Sequence, residues 1–156
     1  MPQGLHENVQ VTQVFEPQAV ASTAAAWNGH GNTTGDASGI DMSGYDEAMV
    51  ELNLGSVAAT TVDVDLYDSA TDDGDAATII TNDAATEADF SQKTSANADN
   101  VYLVRIRAKD HKKYLFIKYQ QGSTGSTLVG INVLLSKADK EPVTQSNTVD
   151  FADTTP

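Results

Sequence analysis

Histidine and cysteine, which many metal-binding and catalytic sites require, are scarce or absent in this sequence. The three histidines, His6, His30 and His111, are too far apart for any two to act as metal ligands on one helix or strand. The chain has no cysteine, which excludes disulfides, zinc–thiolate sites and thiol catalysis. No serine lies in the G-x-S-x-G pattern of a hydrolase nucleophile. We therefore predict no enzyme activity and no catalytic, cofactor-binding or metal-binding residues.

Carboxylates are abundant, and six of them cluster within residues 63–75. They are Asp63, Asp65, Asp68, Asp72, Asp73 and Asp75. Calcium prefers such oxygen ligands, but no register here places the Gly and Glu that a calcium-binding EF-hand loop requires. Asp63 and Asp65 share one face of a strand and could instead meet Arg105 and Arg107. The sequence therefore favours solvated or paired carboxylates over a calcium site.

Charge is distributed unevenly along the 156 residues, whose net charge is −13. Residues 1–92 contain sixteen acidic residues and no Lys or Arg, whereas residues 93–140 contain nine basic and three acidic residues. One interpretation is a bipolar molecule, and the favoured one is that folding pairs the two charge blocks across strands. The negative charge argues against nonspecific nucleic-acid binding and against attraction to an anionic membrane.

Alternation of apolar and polar residues predicts β-strands along most of the chain. The clearest runs are residues 45–55, 61–68, 100–108, 112–120 and 126–137, with a further strand within 9–16 and weaker ones at 78–81 and 86–90. The short polar link 108–111 predicts a hairpin between its two flanking strands. Residues 18–27 contain five alanines but lack a wide apolar stripe, so their conformation stays open.

The inward faces of these strands define the predicted core. It comprises Val50, Leu52, Leu54, Val62, Val64, Leu66, Val104, Ile106, Leu115, Ile117, Val129, Ile131 and Val133. Short alternating strands with turn signals between them predict an all-β fold, a single antiparallel β-sandwich or small β-barrel of the jelly-roll or β-tulip-like type. The predicted domain spans residues 9–137. The polar segments 1–8 and 138–156 are interpreted as extended N- and C-terminal arms, with simple terminal disorder as the alternative.

Several short motifs together resemble a known family. The run Asp41-Met42-Ser43-Gly44-Tyr45 opens an alternating strand that ends in Gly55. A second strand at 62–68 and an acidic turn at 72–75 follow, and later come Lys113-Tyr114-Leu115-Phe116-Ile117, a glycine loop, a last apolar strand and a polar segment with Pro142. Over residues 41–142 this order resembles the capsid decoration proteins, also called cement or auxiliary head proteins, of tailed bacteriophages.

The resemblance implies a β-barrel or sandwich that forms homotrimers on the outer capsid surface of the virion and clamps neighbouring subunits of the major capsid protein. It carries over no catalytic residues. If an acidic capsid surface is the partner, we expect the contact residues to include some of Arg105, Arg107, Lys112, Lys113 and Lys118. The chain shows no signal peptide and no apolar run long enough to span a membrane, which suits assembly in a bacterial cytoplasm.

Two other functions remain open from the sequence. The first is a carbohydrate-binding or adhesion module, which needs exposed aromatic rings or a calcium loop. The second is another structural component of a virion, such as a head fibre or a tail protein. A glycan array separates the first from decoration, and a gene position beside a major capsid gene separates the second.

Overall fold

The computed structural model describes residues 9–29, 37–80 and 90–138. These residues form strands β1 (Val9–Val20), β2 (Ala26–Trp27), β3 (Ile40–Asp41), β4 (Tyr45–Val57), β5 (Val62–Ser69), β6 (Thr78–Ile79), β7 (Phe90–Lys93), β8 (Asn100–Arg107), β9 (Tyr114–Gln121) and β10 (Thr127–Ala138). Three short 3-10 helices lie at Gly74–Ala76, Ser95–Asn97 and Ala108–Asp110.

The strands form two antiparallel sheets that share one hydrophobic core, which confirms the predicted all-β sandwich. Sheet 1 has the strand order β1-β10-β4-β8. Sheet 2 has the order β2-β9-β5-β6, with β3 also pairing with β9 and β7 with β5. Within the described ranges no strand pairs with strands of both sheets. The fold is therefore the sandwich of the two predicted alternatives, and not a closed barrel.

Period-two alternation identified most of the core correctly. Of the thirteen residues predicted to face inward, twelve are buried and Val104 is half-buried. Two aromatic residues outside that set connect the sheets, because the rings of Phe15 in β1 and Tyr119 in β9 lie 6.0 Å apart between centroids. Burial raises the pKa of Tyr119 to about 12, and its hydroxyl donates a 2.8 Å hydrogen bond to Gln121 Oε1.

The predicted hairpin across residues 108–111 is wrong. β8 pairs with β4 in sheet 1, whereas β9 pairs with β5 in sheet 2, so the link crosses from one sheet to the other. The Ala108–Asp110 helix makes this crossing, with Ala108 buried and the His111 N–H bonded to the Ala108 carbonyl at 3.3 Å. A short polar link permits either connection, because alternation alone does not say which sheet a strand joins.

The structure extends some of the remaining strand predictions and leaves others outside the described residues. The strand expected within 9–16 is longer than predicted and extends to Val20, and the open stretch 18–27 supplies the end of β1 and all of β2. β6 lies within the weak strand at 78–81. The arm 1–8, His30, most of the weak strand 86–90 and residues 139–156 lie outside the described residues. No helix in the described part of the chain is long and apolar enough to cross a membrane.

Candidate interaction surface

The corner that opens β4 is built by its own side chains. Asp41 Oδ1 accepts hydrogen bonds from the backbone N–H of Ser43 at 2.9 Å and from the Ser43 hydroxyl at 2.6 Å. The Tyr45 N–H donates to the Met42 carbonyl at 3.2 Å. Gly44 has a φ of +82°, in the left-handed region that favours glycine. The Asp-x-x-Gly-Tyr spacing thus has a local cause, because the aspartate closes the turn and the glycine permits it.

This corner contacts the strand that contains the Lys-Tyr motif. Asp41 lies opposite Tyr114 in the β3–β9 pairing, and the Met42 N–H donates to the Lys113 carbonyl at 2.8 Å. Lys113 Nζ lies 3.3 Å from Asp41 Oδ2. Burial by itself would raise the pKa of Asp41, but hydrogen bonds from Ser43 and Lys113 outweigh it and hold the pKa below its ordinary value. Two motifs far apart in the chain therefore meet in space.

The five basic residues proposed as contacts lie in three places. Arg105 and Arg107 project from the outer face of β8, with 64% and 72% of their side chains exposed. Lys112 and Lys113 precede β9 and are also exposed. Lys118 lies on the outer face of sheet 2 and is only 23% exposed. The fold therefore brings the first four toward one end of the sandwich and leaves Lys118 apart from them.

Each of these five side chains forms an ion pair. The pairs are Arg105–Glu47, Arg107–Asp110 at 3.7 Å, Lys112–Asp68 at 3.2 Å, Lys113–Asp41 at 3.3 Å and Lys118–Asp65 at 3.5 Å. Four of the five acids come from residues 1–92, so folding interleaves the two charge blocks as the favoured interpretation predicted. Exposed pairs of this kind contribute little to stability, about 0–1 kcal/mol each.

Two hollows at this end of the sandwich have basic residues in their linings. The larger, about 530 Å³, lies between the β4 corner and the residues that precede β9, and its lining includes Lys109, His111, Lys112 and Lys113. The smaller, about 240 Å³, is lined by Asp46, Glu47, Arg105, Arg107 and Lys109. Asp46 and Lys109 belong to both, so the hollows adjoin and form one surface. We call this surface the basic end.

Asp68 anchors the basic end to the core of sheet 2. It is 8% exposed, and its carboxylate lies 3.3 Å from His111 Nδ1 and 3.2 Å from Lys112 Nζ. It also accepts hydrogen bonds from the Lys112 backbone N–H at 3.3 Å and the Thr78 hydroxyl at 3.1 Å. Burial opposes ionisation, but these hydrogen bonds and the lysine outweigh it and lower the pKa of Asp68. The sequence showed Asp68 only as one of six clustered acids, because its partners are distant in the chain.

The remaining clustered acids have separate structural roles. The expected contact of Asp63 and Asp65 with Arg105 and Arg107 is wrong, because the acids are in sheet 2 and the arginines in sheet 1. Asp63 accepts a 3.0 Å hydrogen bond from Gln92, and Asp65 pairs with Lys118. Asp73 caps the Gly74–Ala76 helix in the turn between β5 and β6, and Asp72 accepts a hydrogen bond from the backbone N–H of Gly39. No group of three or more potential metal ligands converges among the described residues.

Three exposed apolar side chains lie on the outer face of sheet 1. They are Val101 (59%), Leu103 (56%) and Leu128 (46%), which are the exposed large hydrophobic side chains of the described residues. A groove of about 330 Å³ lies beside Leu128, and its lining includes Pro17, Gly55 and Gly130. Alternation in β8 places Val101 and Leu103 on the face opposite the core, but the strand pairing shows that the polar residues Asn53 and Glu51 of β4 lie beside them.

Comparisons with known proteins give a structural likeness but no sequence match. No family model matches the chain, and no curated protein matches it. Among solved structures, the chain is similar to the infectious bursal disease virus VP2 subviral particle, with 12% sequence identity and a TM-score of 0.30. The likeness covers 85% of this chain and 42% of that chain, so this protein spans less than half of the length of the viral capsid protein. At this TM-score the likeness carries no argument about function.

Proposed function

We propose that this protein is a structural virion protein that binds the outer surface of an assembled bacteriophage capsid and cements neighbouring capsid subunits. The observation that carries the proposal is the contact between the two motifs of the family resemblance, the 41–45 corner and the 113–117 strand. Backbone pairing, the Met42–Lys113 hydrogen bond and the Asp41–Lys113 ion pair join them. The motifs therefore form one local structure, which supports treating the resemblance as more than a coincidence of short patterns.

The basic end is the part of the surface that best suits an acidic capsid. In a chain of net charge −13, it gathers Arg105, Arg107, Lys109, Lys112 and Lys113 around two adjoining hollows. The arginine and lysine side chains are already paired with acids, but they are 43–72% exposed and each has further N–H donors. Complementary charge at such a surface accelerates association and selects the partner more than it raises affinity.

A protein cements a capsid when it binds the assembled lattice more tightly than it binds free capsid subunits. A ligand of this kind stabilises the assembled state by mass action, with a stabilisation that grows with its free concentration. Each copy needs a contact area of roughly 1,000 Å² or more for a specific interface. The N- and C-terminal arms expected from the sequence would add contact area on the shell, at an entropic cost for fixing their backbone there.

Cosedimentation with mature, expanded capsids tests this proposal. We expect the wild-type protein to pellet with capsids and to saturate, and absence of binding contradicts the proposal. The Arg107→Glu/Lys113→Glu double variant should bind more slowly and lose its defect at high salt, because both side chains are exposed at the basic end. Lys118→Glu is the matched control, since this residue lies apart. If the double variant binds like the wild type at every salt concentration, the basic end is not the contact.

The trimeric state and the virion location implied by the resemblance stay predictions. So does the alternative of a carbohydrate-binding or adhesion module, which a glycan array tests. The one tryptophan in the sequence, Trp27, is half-buried and lies against Tyr67, with 4.7 Å between ring centroids. A head-fibre or tail role is separated from decoration by the position of the gene relative to the major capsid gene.

A further inference from the structure

The two edges of sheet 1 differ in how they are protected against pairing with another strand. β1, at one edge, contains Pro17 and has two register shifts against β10. β8, at the other edge, pairs with β4 over eight consecutive residues without a register shift. Prolines and bulges protect an edge from further pairing, so β1 is guarded and β8 is not. Among the described residues, no strand pairs with the outer side of β8.

The unguarded edge also carries exposed apolar side chains. Val101 and Leu103 are 59% and 56% exposed and project from the outer face of β8. Regular edges of this kind are the sites of β-strand addition, in which the backbone supplies affinity and alternate side chains supply specificity. Leu128 is exposed to a similar extent on the same face, but it lies in β10, which is paired on both sides.

We propose that β8 pairs antiparallel with β8 of a second copy of this chain, about a two-fold axis, to form a continuous eight-stranded sheet. The distribution of charge selects this direction. Arg105 and Arg107 lie in the C-terminal half of β8, whereas Asp99 directly precedes the strand. Parallel, in-register pairing would place each arginine beside its own copy, and like charges opposite each other are destabilising. The antiparallel arrangement is isologous and closes after two copies, so it forms no fibre.

The side chains favour one register, with Val101 opposite Leu103 of the second copy. Both apolar pairs are then covered, and Arg105 faces the segment of the second copy that contains Asp99, where a φ of +56° turns the backbone out of the strand. Arg105 already pairs with Glu47 but is 64% exposed, so it can bind a second carboxylate. The two Arg105 residues are offset by six residues, about 20 Å at about 3.3 Å per residue, which is beyond the screening length of about 8 Å at physiological salt.

The negative net charge makes two copies of this chain repel each other where their acidic surfaces meet. Each copy carries −13, yet β8 contains two arginines and no acid. Two acidic copies can therefore approach at β8 with less repulsion than at most other places. This contact does not depend on the proposed virion role. It also differs from a three-fold contact, which joins two unlike patches.

Sedimentation of the full chain over a range of concentrations tests the proposal. We expect a monomer–dimer equilibrium in the wild type. Leu103→Lys should raise the dimer dissociation constant by about tenfold or more, because it places a charge at the apolar pair. Leu128→Lys, the matched control, should leave the constant unchanged. A wild type that stays monomeric at every concentration, or a trimer that Leu103→Lys does not alter, overturns the proposal.

Disulfide trapping tests the register, which is feasible because the chain has no cysteine of its own. A mixture of Val101→Cys and Leu103→Cys proteins should crosslink readily. Either protein alone should not, because its two cysteines would be offset by two residues, about 8 Å between Cα atoms and beyond disulfide range. Single variants that crosslink as fast as the mixture contradict the two-fold register. If β8 amides exchange slowly in a monomer and lose this protection when residues 139–156 are removed, the C-terminal segment occupies the edge and the proposal is wrong.

Discussion

Replacing Asp68 by asparagine should destabilise the protein at neutral pH but not in acid. The substitution keeps the size of the side chain and one acceptor oxygen, but it removes the negative charge between Lys112 and His111. Hydrogen bonds to charged groups contribute about 1.5–3 kcal/mol each, and partial exposure of Lys112 reduces that contribution. We expect Asp68→Asn to lower the free energy of unfolding by about 1–2 kcal/mol at pH 7. At about 2–4 °C per kcal/mol for a chain of this size, Tm falls by about 2–8 °C.

The pH dependence follows from the lowered pKa of Asp68. A carboxyl group with a lower pKa in the folded than in the unfolded state stabilises the fold fully above its ordinary pKa, 3.8. That stabilisation disappears as pH falls through the folded-state pKa, where Asp68 becomes neutral like asparagine. The difference between the wild type and Asp68→Asn should therefore be present at pH 7 and shrink steadily below about pH 4.

Urea unfolding of both proteins between pH 7 and pH 2.5 measures this difference directly. Asp75→Asn is the control, because Asp75 is exposed in the acidic turn and its replacement should change stability by no more than about 0.5 kcal/mol. Equal stability of the wild type and Asp68→Asn at pH 7 would refute the anchoring role of Asp68. A difference that persists unchanged to pH 2.5 would show that the charge of Asp68 is not its cause.

Three further predictions concern packing and the arms. Phe116→Ala should lower the free energy of unfolding by about 3–5 kcal/mol in urea titrations, because the ring is fully buried, and a loss below about 1 kcal/mol contradicts the packing described. Gly125→Ala should cost about 1–3 kcal/mol by the same measurement, since a Cβ there would press on the Ala58 carbonyl, and unchanged stability argues against that contact. Deleting residues 1–8 or 143–156 should leave the Tm of the free protein nearly unchanged and reduce capsid occupancy; a large drop in Tm would make that arm part of the domain.

Much of the fold could be predicted because period-two alternation reports burial directly. A strand with one face against the core must alternate, so Val50, Leu52 and Leu54 were identified without knowing their partners. Alternation does not report burial correctly where both faces of a strand are covered. Alternation with the inward Leu115 and Ile117 puts Phe116 on the outer face of β9, yet its ring is fully buried beside Gly39, whose missing side chain leaves room for it.

The sequence did not show which residues distant along the chain come together in the fold. The 108–111 link was predicted as a hairpin because its length permits one, but the destination of β9 depends on its pairing with β5. Asp68 and Lys112 meet only because that pairing brings the end of β5 beside the start of β9. The sequence showed the uneven distribution of charge, but only the strand topology shows which basic and acidic residues form ion pairs.

The thermal stability of the capsid itself tests most directly whether this protein cements an assembled capsid, as we propose. Expanded capsids lacking the protein are titrated with it, and the temperature of capsid rupture is followed together with the number of copies bound. We predict that the rupture temperature rises with occupancy and levels off when binding saturates, because the proposed role requires tighter binding to the assembled lattice than to free subunits. Capsids that bind the protein to saturation and rupture at an unchanged temperature would contradict the claim.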